Sequence, residues 1–347
     1  MKAAILKKPG DLSIKEIPEP GCPYGGLLIK IKAAAICSAD VKMIFKGHKA
    51  LKYPRIPGHE ITGIVAESRN LRVRKGERVQ IAPGIICGKC HQCISGIENH
   101  CENIKILGFN MDGGFSEYIT IPLEGITSNI INVIPQSLGL NEAALAEPVA
   151  CCINAQEILS ISAGFKILVI GAGPIGIIHS MLARLNGAEK VIMAECLPER
   201  LNSTVKSGAD RLVDLSLGGM DDLKKAVFDE AGKYGVDAII LACQASLPLN
   251  NLIDLLAPRG KICLFSGINE GQKTFDIDVL NRLHYKEAAL VGAYGCTSVQ
   301  NRTALALMDS GKIHADWLIT GQISLEEIYK GIEMVKSHQG LKTMINF

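Results

Sequence analysis

Along the first third of the chain the apolar positions come in short runs broken by glycine and proline: Leu27 to Ala33, Ile61 to Ala66, Arg78 to Ala82 and Glu117 to Ile121. Runs of this length predict short strands and an all-β or barrel-like domain up to about Pro135. After about Ala150 the rhythm changes to an apolar run, a glycine-rich turn and a longer helical pattern, repeated. The runs are Lys166 to Ile170, Val191 to Glu195, Asp237 to Ala242, Lys261 to Phe265 and Ala288 to Gly292. Strands alternating with helices predict right-handed crossovers and a parallel sheet buried on both faces. Near the end, Ile328, Ile332 and Val335 fall on one face of a predicted amphipathic helix over Ser324 to Lys336. The expected fold class is therefore α/β, with a barrel-like domain over 1–148 and a doubly wound sheet over 149–295. The stretch 296–347 follows these two.

The chain has 347 residues, 48% of them hydrophobic and 21% charged, with 37 Lys and Arg against 35 Asp and Glu. This is an ordinary globular composition, long enough for about two domains with their own cores. A formal net charge of +2 gives no general field for nucleic acid or an anionic membrane. Met1 to Gly10 carries three lysines and is followed by Asp11, which is not a signal peptide, and no run of about 18 apolar residues could span a bilayer. The expectation is a soluble, cytoplasmic protein without nucleic-acid or membrane partners.

Twelve cysteines then call for a use other than disulfides. Cys87, Cys90, Cys93 and Cys101 crowd into one stretch, within a lobe of about 84–104. That spacing brings four thiolates into one loop, the all-sulfur set of a structural zinc with no open position for substrate. A zinc-dependent nucleic-acid module is disfavoured, because Lys89 and Lys105 are offset by Glu98 and Glu102. Cys151 and Cys152 read as small buried thiols and Trp317 as packing.

Strand Lys166 to Ile170 runs into Gly171-Ala172-Gly173-Pro174-Ile175-Gly176 and then a helical stretch to Leu185. In that context the glycines allow a tight turn, approach of the backbone to a pyrophosphate and close packing of helix on strand. Pro174 suits a first helical turn. The next strand ends at Glu195, where a carboxylate can accept from a ribose 2′-hydroxyl and repel a 2′-phosphate, so NAD is expected. Arg200 is a candidate for stacking on adenine.

Outside the lobe stand Cys37 with Asp40 close behind, Gly58-His59-Glu60-x-x-Gly63, and Glu147-Pro148. A thiolate, an imidazole and a carboxylate suit a catalytic zinc that keeps a position for substrate. Their order, with the lobe between them and the dinucleotide turn after them, resembles the zinc-dependent medium-chain dehydrogenases. Within that family the look is of the polyol branch that includes sorbitol, L-threonine and sugar-alcohol phosphate dehydrogenases. Further matching pieces are Val73 to Val79, Gly113 to Tyr118 and Pro258 to Lys261.

The resemblance implies a GroES-like catalytic barrel, a Rossmann nucleotide domain inserted into it, a stretch 296–347 that ends the nucleotide domain and returns to the catalytic one, and catalysis in the cleft between. It makes Cys37 and His59 ligands of a catalytic zinc, Glu60 a ligand or its neighbour, and Glu147 a ligand or the holder of the zinc-bound water. It puts Phe265 and Ser266 beside the nicotinamide. Two zinc ions per chain, NAD, an alcohol or polyol substrate and a homodimer or homotetramer are expected. The leading function is hydride transfer between a secondary alcohol, such as a polyol, sugar alcohol or its phosphate, and NAD. L-threonine or a simple secondary alcohol is the alternative substrate, and a catalytically silent NAD-binding protein the alternative of another class.

Two local features qualify this expectation. Between Cys37 and His59 lie Lys42, Lys46, His48, Lys49, Lys52 and Arg55, which could receive an anionic group on the substrate. Many relatives carry a hydroxyl two residues after the first ligand, whereas here that position is Ala39, after Ser38. Proton release is then expected through water held by Glu147, with Lys42 or His48 at the exit.

Overall fold

The computed structural model describes residues 1–243, 249–267 and 277–347. They form two compact units, Met1–Ala150 with Gly295–Phe347, and Cys151–Tyr294.

The first unit is built on a seven-stranded mixed sheet. Its central strand, Leu27–Ile36, runs three residues past the expected end because Ala34, Ala35 and Ile36 are as buried as the residues before them. Glu60–Ser68 lies antiparallel on one side of it, followed outward by Arg78–Ile81 and Ile131–Val133, while Tyr118–Ile121 also pairs with its first half. On the other side Lys342–Asn346 pairs antiparallel, with Thr343 opposite Ile36, and Ile319–Ser324 runs parallel to it. The chain end thus completes the sheet that its beginning started. Leu27, Ile29, Ile31, Ile61, Val79 and Ile81 fill one core of this unit.

The predicted helix over Ser324 to Lys336 is shorter in the structure. Ser324 ends a strand, a 3-10 turn covers Leu325–Glu327, and the helix is Ile328–Lys336. The cause is a cap: the Ser324 amide donates to the Glu327 carboxylate at 3.1 Å, which holds Ser324 outside the helix. Ile328 and Ile332 are buried as the periodicity required. Trp317 is half-buried in the short turn Asp316–Leu318.

The second unit is a six-stranded, wholly parallel sheet. Its spatial order is Arg211–Asp214, Lys190–Glu195, Lys166–Ile170, Val236–Leu241, Leu256–Leu264 and Ala289–Gly292, paired successively. In chain order that is 3-2-1-4-5-6, the doubly wound arrangement whose order reverses beside the first strand. Arg211–Asp214 was not legible from periodicity: only Val213 is buried in this edge strand. Cys152 is buried and Cys151 half-buried in the helix Ala146–Leu159. Among the described residues no helix is long and apolar enough to cross a membrane.

Candidate functional site

The cysteine lobe folds around very short elements. Gly84–Ile85 pairs with Lys105–Ile106, the turn of helix His91–Ile94 follows Cys90, and a 3-10 turn Glu98–His100 leads into Cys101. All twelve cysteines are free thiols. The four lobe sulfurs lie within 4.8 Å of one another, Cys90 to Cys93 at 3.4 Å and Cys87 to Cys93 at 4.0 Å. Zinc–sulfur bonds of about 2.3 Å in a tetrahedron put sulfurs about 3.8 Å apart, between these two values. Backbone amides of Lys89 and Cys90 hold the Cys87 thiol down at about 6, whereas burial and the neighbouring sulfurs push Cys93 up to about 12. Four sulfurs this close cannot all ionise without a cation among them, and zinc fits that demand.

A second set of ligand atoms lies in the first unit. Cys37 precedes the helix Ser38–Lys46, and His59 and Glu60 sit at the start of the strand Glu60–Ser68. Gly58 makes the approach possible. It adopts φ +97°, and a β-carbon there would meet the Phe115 ring at 2.5 Å. Cys37, His59 and Glu60 offer atoms within 4.8 Å of one another.

Asp40, fully buried, clamps two of them. One carboxylate oxygen accepts from the Cys37 amide at 3.0 Å and the other from His59 Nδ1 at 3.1 Å. A carboxylate can only accept, so the proton sits on Nδ1 and Nε2 is left as the metal-facing atom. Burial works against a charged His59, but Asp40 and Cys37 outweigh it and hold the imidazole well above its ordinary range. A zinc ion at Nε2 would take the place of the imidazolium's second proton, leaving the one on Nδ1 with Asp40. A thiolate, an imidazole and neighbouring carboxylates are a fit for zinc.

Glu60 is already engaged by a cationic side chain. Lys342 binds both of its carboxylate oxygens, in an ion pair buried on both sides. Glu147, in the first turn of the helix Ala146–Leu159, is buried at 7% exposure, and its carboxylate lies within 4.8 Å of the Cys296 thiol. Both carboxylates are sensed by Lys342, whose ammonium is raised despite burial by Glu60, Cys37 and Glu147. Sequence reasoning missed Lys342, Cys296 and the clamping role of Asp40. Each is one polar residue in an otherwise unremarkable stretch, and only the sheet register brings Lys342 to Cys37 and Glu60.

In the basic segment, His48 packs edge-on against Phe109 at 5.4 Å, and Phe109 tilts over His59 at 5.6 Å. Burial, then Lys49 and Lys42, lower the His48 imidazole below its usual range. Lys42 is exposed, and of its helix only Asp40, Met43 and Ile44 are buried. Arg55 is taken up by Asp112 at 2.7 Å. Ser38 and Ala39 are both exposed.

In the second unit the strand Lys166–Ile170 delivers Gly171, Gly173 and Gly176 to the N-terminus of the helix Pro174–Leu185, with Pro174 and Ile175 in its first turn. A β-carbon on Gly176 would lie 1.8 Å from the Gly171 carbonyl, so only glycine closes this turn. Glu195 is buried at 6% exposure. Its carboxylate accepts from the amides of Ala172 at 2.8 Å, Cys196 at 2.7 Å and Leu197 at 3.1 Å, which ties it to the glycine turn. The Arg200 guanidinium packs on Gly173, 3.3 Å from where a β-carbon would stand. These residues fit a dinucleotide, with backbone amides at a helix N-terminus for pyrophosphate and Glu195 for ribose. Phe265 packs edge-on against the buried His179 at 4.9 Å, and the Ser266 amide donates to the Leu241 carbonyl at 3.3 Å.

Residues 24–130 match the family described as alcohol dehydrogenase GroES-like domain, and residues 174–310 the family described as zinc-binding dehydrogenase. The chain is 32% identical to L-galactonate-5-dehydrogenase of Escherichia coli, over all of this chain and 99% of that protein. It is 30% identical to L-threonine 3-dehydrogenase of Rhizobium etli, over all of this chain and 99% of the relative. A zinc-binding dehydrogenase of Sinorhizobium meliloti, solved bound to NADP, superposes with a TM-score of 0.89 at 28% identity, covering all of this chain and 99% of that one.

Proposed function

Because the chain belongs to the zinc-dependent medium-chain alcohol dehydrogenase family, with its GroES-like and zinc-binding dehydrogenase domains, we propose that it is an NAD-linked dehydrogenase for a polyhydroxy acid. The class is an oxidoreductase acting on a secondary alcohol with zinc and a nicotinamide dinucleotide. The anionic character of the substrate is the finer reading. The observation that carries it is the ring stack His48, Phe109, His59, which puts His48 two ring contacts from a metal ligand, with the charges of Lys49 and Lys42 acting on His48. Cations there complement a carboxylate at the far end of the molecule from the reacting carbon. The name of the Escherichia coli relative, a dehydrogenase of a sugar acid, supports the same chemistry.

Cys37, His59 and a carboxylate would hold a zinc ion, and the turn Gly171 to Gly176 with Glu195 a nicotinamide dinucleotide; when bound, the two would supply Lewis acidity at the alcohol oxygen and the hydride acceptor. Asp40 keeps Cys37 and His59 in place and fixes the His59 tautomer. Lys342 offsets the charges of Glu60 and Glu147, so that either carboxylate can approach a cation without leaving the other uncompensated. The proton leaves by water hydrogen-bonded to Glu147, with His48 or Lys42 at the exit, because Ala39 has no group that could donate or accept it. The working form is a homodimer or homotetramer, the common closed symmetries, checked by light scattering.

The reading is tested by NADH formation across sugar acids, neutral polyols, their phosphates and L-threonine. Sugar acids should give the highest kcat/KM, and Lys49→Ala should raise their KM about tenfold while leaving neutral polyols unchanged. Faster turnover of neutral polyols, unaffected by Lys49→Ala, would refute an anionic substrate. L-Threonine is the second reading, from the name of the Rhizobium relative. Its ammonium, close to its carboxylate, would meet the same cations, which disfavours it.

A further inference from the structure

We propose that Glu98 is a positioning residue through which the metal-filled cysteine lobe holds the segment 295–301, and with it Cys296 beside Glu147. The inference rests on the reading above that the lobe carries zinc.

Glu98 opens the 3-10 turn Glu98–His100, between the lobe residues Cys93 and Cys101. Its backbone carbonyl accepts from the Cys101 amide at 3.0 Å, so the turn is set by the position of that thiolate. Its side chain reaches 200 positions along the chain to the start of the helix Ser298–Asp309. There one carboxylate oxygen accepts from the Ser298 amide at 2.7 Å and the other from the Ser298 hydroxyl at 3.2 Å.

The first amides of a helix have no acceptor within it. Thr297 supplies one for Gln300, whose amide donates to its hydroxyl at 3.2 Å, and Gln300 answers by accepting from the Thr297 amide at 2.9 Å. That box leaves the Ser298 amide to Glu98. A carboxylate at this end also meets the positive pole of the helix dipole, so the bond is charge-assisted.

What the segment then presents is a fixed array. The Asn301 amide donates to the Cys296 sulfur at 3.1 Å and to the Thr297 carbonyl at 3.0 Å. The Asn301 oxygen accepts from Gln80 at 3.3 Å, and Gln80 in turn accepts from Asn132 at 2.8 Å, all three side chains being buried. Cys296 is thereby held within 4.8 Å of the Glu147 carboxylate. Emptying the lobe frees the 3-10 turn, the turn releases Ser298, and the groups around Glu147 lose their fixed positions.

Hydrogen exchange of the amides over 295–301 tests this in the zinc-loaded full chain, in Glu98→Ala, in Cys93→Ser and in the double variant. Metal analysis of each is made alongside, and the strand Lys166–Ile170 serves as an internal control for global unfolding. Each single variant should speed exchange at Ser298 about 10- to 100-fold, the range for loss of a charge-assisted hydrogen bond. The double variant should go no further than the larger single one, because both act through one link. Glu98→Gln, which keeps an acceptor oxygen, should restore part of the protection. As a second readout, a chelator should strip cobalt from the Cys37 and His59 site faster in Glu98→Ala than in the unaltered protein. Lobe metal lost from Cys93→Ser with exchange at 295–301 unchanged would overturn the coupling alone. So would additive effects in the double variant. Full metal content in Cys93→Ser would overturn the reading of the lobe, and the coupling with it.

Discussion

Lys342 and Glu60 form an ion pair across the central strand of the first unit, with side-chain exposures of 6% and 0%. Glu60 stands opposite Ala35 on one side of Leu27–Ile36, and Thr343 stands opposite Ile36 on the other. Continuing that register by one residue brings Lys342 to Cys37. Removing one partner of a buried pair leaves the other charge without compensation, a cost of about 3–5 kcal/mol. Lys342→Met should therefore destabilise the metal-free protein by several kcal/mol. Lys342→Met with Glu60→Gln should recover much of the loss. Denaturant unfolding of the four proteins measures it, and additive losses would show that the pair is not coupled.

Metal content should separate the two thiol sites. Fully loaded protein should hold about two zinc ions per chain, one tetrahedral in sulfur and one with mixed ligands. Cys37→Ser should lose one zinc and turnover while keeping most of its Tm. Cys93→Ser should lose the other and unfold at a lower temperature, because a structural zinc contributes folding energy. Atomic absorption with a thermal melt decides it, and a single zinc in active protein would contradict the two-site reading.

Glu195 should set the preference for NAD over NADP. Its carboxylate is tied to the amides of Ala172, Cys196 and Leu197, so it cannot swing away from a 2′-phosphate without abandoning three hydrogen bonds. Discrimination of this kind is partly repulsion. Glu195→Ala should cut the ratio of kcat/KM for NAD to that for NADP by about tenfold or more, roughly 1.4 kcal/mol. Since the Sinorhizobium relative was solved with NADP, equal use of both cofactors by the unaltered protein is the outcome that would refute the assignment.

His179 should make the protein acid-sensitive. Burial lowers its imidazole to about 3 from the ordinary 6.5. Its Nε2 has no hydrogen-bond partner, and Nδ1 lies 3.4 Å from the Gln156 amide nitrogen. Between those two values only the unfolded chain binds the proton. Stability is therefore complete above about pH 6.5 and falls as the pH drops towards 3, by up to about 1.4 kcal/mol per unit. His179→Leu should flatten that slope between pH 6 and pH 4 in urea titrations. An unchanged slope would place the acid sensitivity elsewhere.

The sequence by itself determined whatever depends on short-range spacing. Four cysteines inside one loop must meet, whatever the rest of the chain does, and the lobe was legible for that reason. The glycine turn was legible because a strand, Gly171 to Gly176 and a helix are contiguous, and Glu195 because it ends the next strand of the same parallel pair. The alternation of apolar runs gave the two kinds of domain. Arg211–Asp214 escaped because an edge strand buries too little to leave a pattern.

Only the tertiary structure decided which distant polar residues share a charge or a hydrogen bond. Lys342 compensates Glu60 through strand register, Asp40 clamps His59 from 19 positions earlier in the chain, and Glu98 reaches Ser298 across 200 positions. A lone lysine or glutamate carries no periodicity, so nothing local distinguishes it from a solvated one. Its partner is fixed by the sheet order and the loop paths, which the hydrophobic core selects and the polar residues inherit.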